Sequence, residues 1–183
     1  FTTDFRTDEG LVLESFYEFV SFPVGTVNSI SKESLSPYAS WASESAVFIG
    51  QQADVAISGS AAINADSSKA SLELEIKKQS SDISSLKLAI YLTEDHIISW
   101  QKDEDADPMD VEDYEHNHVF RGAIGSVWGE DIDFSETGSK ELQFSRSIDL
   151  NESWVPDNCV FVIFVYNSES LEIVQVEQIE LKN

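Results

Sequence analysis

The chain has 183 residues, 42% of them hydrophobic and 25% charged, which is the composition of a folded globular chain long enough to bury a core rather than of a disordered one. Eleven Lys and Arg against 34 Asp and Glu leave a net charge of −23, so nucleic acid and anionic membrane surfaces are poor partners. No apolar run nears the roughly 20 residues of a membrane helix, and the single cysteine, Cys159, excludes an intrachain disulfide and a C-x-x-C redox pair.

The first residue is Phe1, with no signal-like segment after it, which reads as a chain processed or cut from a longer precursor. Residues 1–50 read as helix, strand, helix. From Gly10 to Val20, apolar residues at Val12, Phe16, Phe19 and Val20 keep a helical spacing, and Phe22-Pro23 ends it. Val24-Gly25-Thr26-Val27 is a short extended piece. A second helix is expected with Ser36 as cap, Pro37 at the first helical position and Gly50 just past the end, placing Trp41, Ser45, Phe48 and Ile49 on one side.

After Gly50 the period changes to two. Ala53, Val55 and Ile57 alternate with polar or small residues, as do Ala70 to Ile76, Leu86 to Leu92, and Leu142 to Leu150. Each predicts a half-buried strand with one face in water, the water face of the third being Lys87, Ala89, Tyr91 and Thr93. Cys159 to Tyr166 is apolar throughout and predicts a central strand covered on both faces, with Cys159 a small buried hydrophobe. The last apolar set, Leu171 to Leu181, switches face twice, which predicts bulges or a twisted strand. Turn-rich loops between the strands, among them Ser80-Ser81-Asp82, complete the pattern of an antiparallel β-sandwich, immunoglobulin-like or jelly-roll-like, over residues 51–183.

Polar chemistry concentrates in two neighbouring stretches. From Asp103 to Asp113 the chain is densely acidic, and Asp103, Asp105 and Asp107 have the opening spacing of a calcium loop. Pro108 stands where that loop needs glycine and Tyr114 where it needs the bidentate Glu, so a solvated acidic loop between two strands is the simpler reading. His116 and His118 are two apart, and on one strand they would point the same way and could share a zinc, with His96 or Glu130 as a third ligand. The competing reading is that these side chains pin neighbouring loops by hydrogen bonds. Trp100, Trp128 and Trp154, with Tyr91 and Tyr166, are possible aromatic platforms for a sugar or peptide, or packing residues. His116, Asn117, His118, Arg121, Trp100 and Trp128 are therefore the candidate ligand-binding residues, and no catalytic residue is proposed: no serine sits in G-x-S-x-G.

Several segments together resemble the outer-membrane-protein-twenty-eight-related family of Bacteroidetes. They are Tyr91-Leu92-Thr93-Glu94-Asp95, Trp100-Gln101, Tyr114-Glu115-His116-Asn117-His118-Val119-Phe120-Arg121-Gly122, Trp128-Gly129-Glu130, the strand from Val160 to Tyr166, and Glu172-Ile173-Val174-Gln175-Val176. The resemblance implies an immunoglobulin-like sandwich preceded by a thioredoxin-like domain. Residues 1–50 resemble the tail of that domain, with Phe22-Pro23 in its cis-proline loop. The half that would carry a Cys-containing site does not match anything in this chain, so redox activity is not implied for it. The resemblance further implies export, an outer-membrane, cell-surface or periplasmic location and a lipid anchor upstream. The expectation is a non-enzymatic surface module that binds or displays, with a glycan or protein partner and no obligatory cofactor. Two alternatives are an accessory domain of a thioredoxin-like oxidoreductase or chaperone and a calcium-dependent binding module.

Overall fold

A computed structural model describes residues 3–80, 83–135 and 140–182. The predicted turn at Ser80-Ser81-Asp82 lies in part outside the described residues. The N-terminal segment contains α1 (Asp8–Tyr17), β1 (Val24–Gly25), β2 (Ser36–Pro37) and α2 (Tyr38–Ala46). The sandwich follows with β3 (Val55–Ile63), β4 (Lys69–Lys78), β5 (Leu86–Glu94), β6 (Ile97–Lys102), β7 (Asp110–His116), β8 (Val119–Ala123), β9 (Glu130–Ile132), β10 (Glu141–Asp149), β11 (Cys159–Asn167) and β12 (Ile173–Lys182).

The strands form two layers. One runs β10-β4-β3 and the other β12-β11-β5, with β8 and β9 sharing the far edge of β5. Pairing is antiparallel except where Leu181 and Lys182 meet Ala61 and Ala62 in parallel and join the layers. The alternation read from the sequence sets the core: Ala70, Leu72, Leu74 and Ile76 of β4 face Leu86, Leu88, Ile90 and Leu92 of β5 and Cys159, Phe161, Ile163 and Val165 of β11 in one cluster. Each large side chain buried there contributes roughly 1.5–3 kcal/mol.

The predicted central strand is β11, between β12 and β5. Its second face, Phe164 and Tyr166, packs with Ala89, Tyr91, Leu171, Ile173 and Ile30. One expectation changes here. The outer face of β5 is not a water face, since Ala89 is fully buried and Tyr91 partly so under the N-terminal segment. That segment is fastened to the sandwich by backbone bonds from Ile30 N–H to the Leu171 carbonyl and from Ile173 N–H to the Asn28 carbonyl, both 2.9 Å. The predicted change of face along the last strand is a register shift opposite Val165 and Tyr166.

Both helices end earlier than read, and the first also starts two residues earlier. Thr7 caps α1 through its Oγ1, which accepts the Gly10 N–H at 3.0 Å, and Glu18 ends it in a left-handed conformation. Pro37 stands at the cap of α2 rather than inside it, because Ser36 and Pro37 are already paired with Gly25 and Val24. The Ser36 hydroxyl donates to Glu44 instead of capping. The helix ends at Ala46, so Phe48 and Ile49 leave the helical face and stand exposed. The Phe22–Pro23 bond is cis, as is Asp107–Pro108.

Candidate functional site

The central stretch is built around a double corner. β5 pairs with β8, ending at Glu94 opposite Val119, and β6 pairs with β7, beginning at Ile97 opposite His116. Both chains turn between those pairs, at Asp95-His96 and at Asn117-His118. His96 and His118 have φ of +59° and +58°, the left-handed region that ends a strand. The two turns hold each other reciprocally. The His118 N–H donates to Asp95 Oδ1 at 2.5 Å, and the His96 N–H donates to Asn117 Oδ1 at 3.0 Å. The rings add contacts to carboxylates, His118 Nδ1 to Asp95 at 3.0 Å and His96 Nδ1 to Glu115 at 2.5 Å.

Below the corner lies a buried ion pair. Arg121 Nε donates to Glu94 Oε2 at 2.8 Å, while Glu94 Oε1 accepts the Val155 N–H at 2.9 Å. Glu94 is 2% exposed, and such a charge persists inside only when paired and hydrogen-bonded. The guanidinium also lies over the rings of Phe5 and Trp154, at 5.6 and 5.7 Å. Glu94 is the important residue that the site reading missed. Its signal was an acid at the end of an apolar strand, which looks in sequence like a residue turning into water.

Of the six candidate binding residues, His116, Asn117, His118 and Arg121 gather at the corner, while Trp100 and Trp128 lie elsewhere. His116 ends β7 and His118 lies beyond the turn, so the single-strand geometry that would let them share a zinc does not hold. His116 packs edge-on against Phe5 and Tyr114, and its buried Nε2 has no hydrogen-bond partner. Trp128 packs on Phe16 of α1 with ring centres 4.6 Å apart, and its carbonyl accepts the Tyr166 hydroxyl at 2.6 Å. Trp100 lies on β6 and is 38% exposed. Tyr91 donates to the Val127 carbonyl at 2.7 Å, and burial raises its pKa. The tyrosines thus anchor the 124–129 loop.

The acidic stretch is strand only in its last four residues. Asp110 to Asp113 belong to β7, and only the preceding segment is loop. There Asp103 Oδ1 accepts the Asp105 N–H at 3.0 Å, which closes a local turn. Among the described residues no group of three or more His, Cys, Asp and Glu side chains is placed to hold a metal. Clefts of about 480, 510, 820 and 590 Å³ open at the rim of the sheets, along β12 and beside α2. None of the four is lined by the six candidate residues.

Fold and corner together define a mainly β sandwich module with a helix–hairpin–helix segment laid on its outer face. The chain belongs to the outer membrane protein Omp28 family, whose model matches residues 12–183. A crystal structure of a domain of the outer membrane lipoprotein Omp28 from Porphyromonas gingivalis is similar, with a TM-score of 0.50, 21% identity, and coverage of 73% of this chain and 93% of that one. HBP35 of the same organism is similar with a TM-score of 0.64 and 16% identity, over 93% of this chain and 56% of that one. At these identities the likeness is one of fold. No curated protein matches the sequence. The family places the chain at the outer membrane or cell surface. Among the described residues no helix is long and apolar enough to cross a membrane, which says nothing of β-barrels.

Proposed function

We propose that the chain is a non-enzymatic outer-membrane or cell-surface module that binds or displays, with a glycan or a protein as ligand. The support is the use made of the polar residues in the double corner. Glu94, Asp95, Asn117 and Arg121 each hold a backbone amide or one another. A general acid, base or nucleophile must instead be aimed at a substrate within hydrogen-bond reach. The binding surface is then sought elsewhere, in the open clefts and on the β6–β7 hairpin, where Ile98, Met109 and Tyr114 are exposed.

The test is a glycan and peptide binding screen with the whole chain, repeated with Trp100→Ala on the hairpin and with Trp128→Ala and His118→Ala as structural controls. A saturable ligand that is released unchanged is expected. Chemical turnover of any ligand would overturn the non-enzymatic reading, and the absence of any saturable ligand at millimolar concentration would overturn binding.

A further inference from the structure

Two of the clefts follow one another along β12 and are taken together as a slot. The first, about 510 Å³, is lined by Gln51 to Asp54 on one side and Glu172 to Val176 on the other. The second, about 820 Å³, is lined by Ile57 to Ala61 and Glu177 to Glu180. The lining therefore advances in step along the approach to β3, then β3, and along β12. It marks the gap that opens where these two strands stop pairing, since their parallel ladder holds only at Leu181 and Lys182. From Val174 to Gln178, β11 is the only ladder partner of β12 among the described residues. That is a free edge of five residues, roughly 16 Å at strand rise.

Free edges are ordinarily blunted by Lys, Pro, a short length, a bulge, an inward-pointing charge or a covering loop, and of these β12 carries the register shift near Val174 and the inward Glu177. The edge of β12 from Val174 to Gln178 contains neither Lys nor Pro. The Val176 N–H finds only Oε1 of its neighbour Gln175, at 3.1 Å, a local stand-in for a strand partner. The facing wall includes Ser58-Gly59-Ser60, all exposed and small. A side chain at Gly59 would meet Leu74 Cδ2 at 2.9 Å and Ile179 Cδ1 at 3.0 Å, so the cleft is narrow at that point. Charge decides the occupant. Asp54, Asp95, Glu172 and Glu177 line the slot and no Lys or Arg does. Glu177 stands opposite Ile163, on the core-facing side of β12 and so inside the slot. A second copy of this chain, with its charge of −23, would be repelled.

We infer that the slot takes an extended, cationic polypeptide segment as an added strand on the free edge of β12. Main-chain bonds along Val174 to Gln178 would supply affinity, and the acidic walls would select alternating Lys or Arg side chains. This rests on the binding reading above and names the partner class.

The probe is a fluorescein-labelled, end-blocked octapeptide alternating Lys and Val, titrated into the whole chain by anisotropy, with amide resonances followed by NMR. Saturable binding is expected, weakening as salt is raised. The largest shifts should fall on residues 174–178 and on the facing 51–60 wall. Val176→Pro, which removes an edge N–H, should weaken binding about tenfold, as should methylation of alternate peptide nitrogens, the equivalent of losing one or two net hydrogen bonds. Glu177→Lys should lower affinity without removing any backbone donor, so it serves if Val176→Pro fails to fold. Equal binding of the N-methylated peptide, equal binding of the Glu/Val counterpart, or shifts confined to the β6–β7 hairpin would overturn the inference. A glycan hit with no peptide binding would also overturn it while leaving the binding module standing.

Discussion

At the scale of single residues, Glu94 and Arg121 decide most. Their bond is out of water, so removing one partner strands the other's charge in the interior. Arg121→Met should cost about 3–5 kcal/mol of unfolding free energy in urea, and Glu94→Gln a similar amount. The double variant should lose clearly less than the sum, and additivity would show that the pair is not coupled. Cys159 behaves in the opposite sense. Desolvation first, and then the nearby Glu94 charge, push its thiol up to about 12. At neutral pH it should resist alkylation in the native state and react only on unfolding. Its folded pKa lies above its unfolded one, so the folded state holds the proton longer. The resulting contribution to stability is complete below the unfolded pKa and is lost as pH rises through about 9 toward 12. Buried Tyr91 and Tyr166 are raised too and add to the same alkaline loss. A urea midpoint that rises over that range would contradict this account.

At the scale of elements, the double corner sets how the β6–β7 hairpin leaves the sheet. Asn117→Ala and Asp95→Ala each remove the acceptor of a backbone amide in the opposite turn, at a cost of about 1 kcal/mol or more. Amide exchange should accelerate across 97–116 and stay slow in β4 and β11. Uniform acceleration would mean that the corner is part of the global unit instead. The 124–129 loop offers a second case. Gly129 has φ of +67° and lies against β5, where a Cβ would collide with the Leu88 carbonyl. Gly129→Ala should therefore displace β9 and cost more than the ~1 kcal/mol of an ordinary left-handed alanine. The corner also shows why the two-histidine reading failed. Alternation predicts a shared face only while the strand continues, and the turn at Asn117-His118 depends on partners 21 and 23 residues earlier in the chain.

At the scale of the molecule, a net charge of −23 means that compaction works against self-repulsion. Raising ionic strength from low salt should raise the melting temperature by screening it. Calcium belongs in the same experiment. Melts in EDTA and in calcium chloride at matched ionic strength should share one midpoint, and a rise specific to calcium would favour the metal-dependent alternative. The surface is also uneven. Val20, Phe22, Tyr38, Val47 and Ile49 stand exposed on the N-terminal segment, and Ile98, Met109, Val155 and Val176 on the sandwich.

The sequence alone determined that β3, β4, β5, β10, β11 and β12 are strands and which face of β4, β5 and β11 meets the core. Period-two alternation from Val55 to Leu150 and the unbroken apolar run of β11 are local consequences of burial, and they sort Leu72, Leu88 and Phe161 into one core without any reference to topology. The Tyr114 to Arg121 string likewise carried the family. Tertiary structure decided what no local pattern encodes. It set the cover over Ala89 and Tyr91, because burial of an outer face depends on what packs there. It settled the pairing of Glu94 with Arg121, because an acid turns inward only where a distant cation meets it. It also determined the parting of β3 from β12, because a strand edge is free or covered only by the arrangement of the other strands.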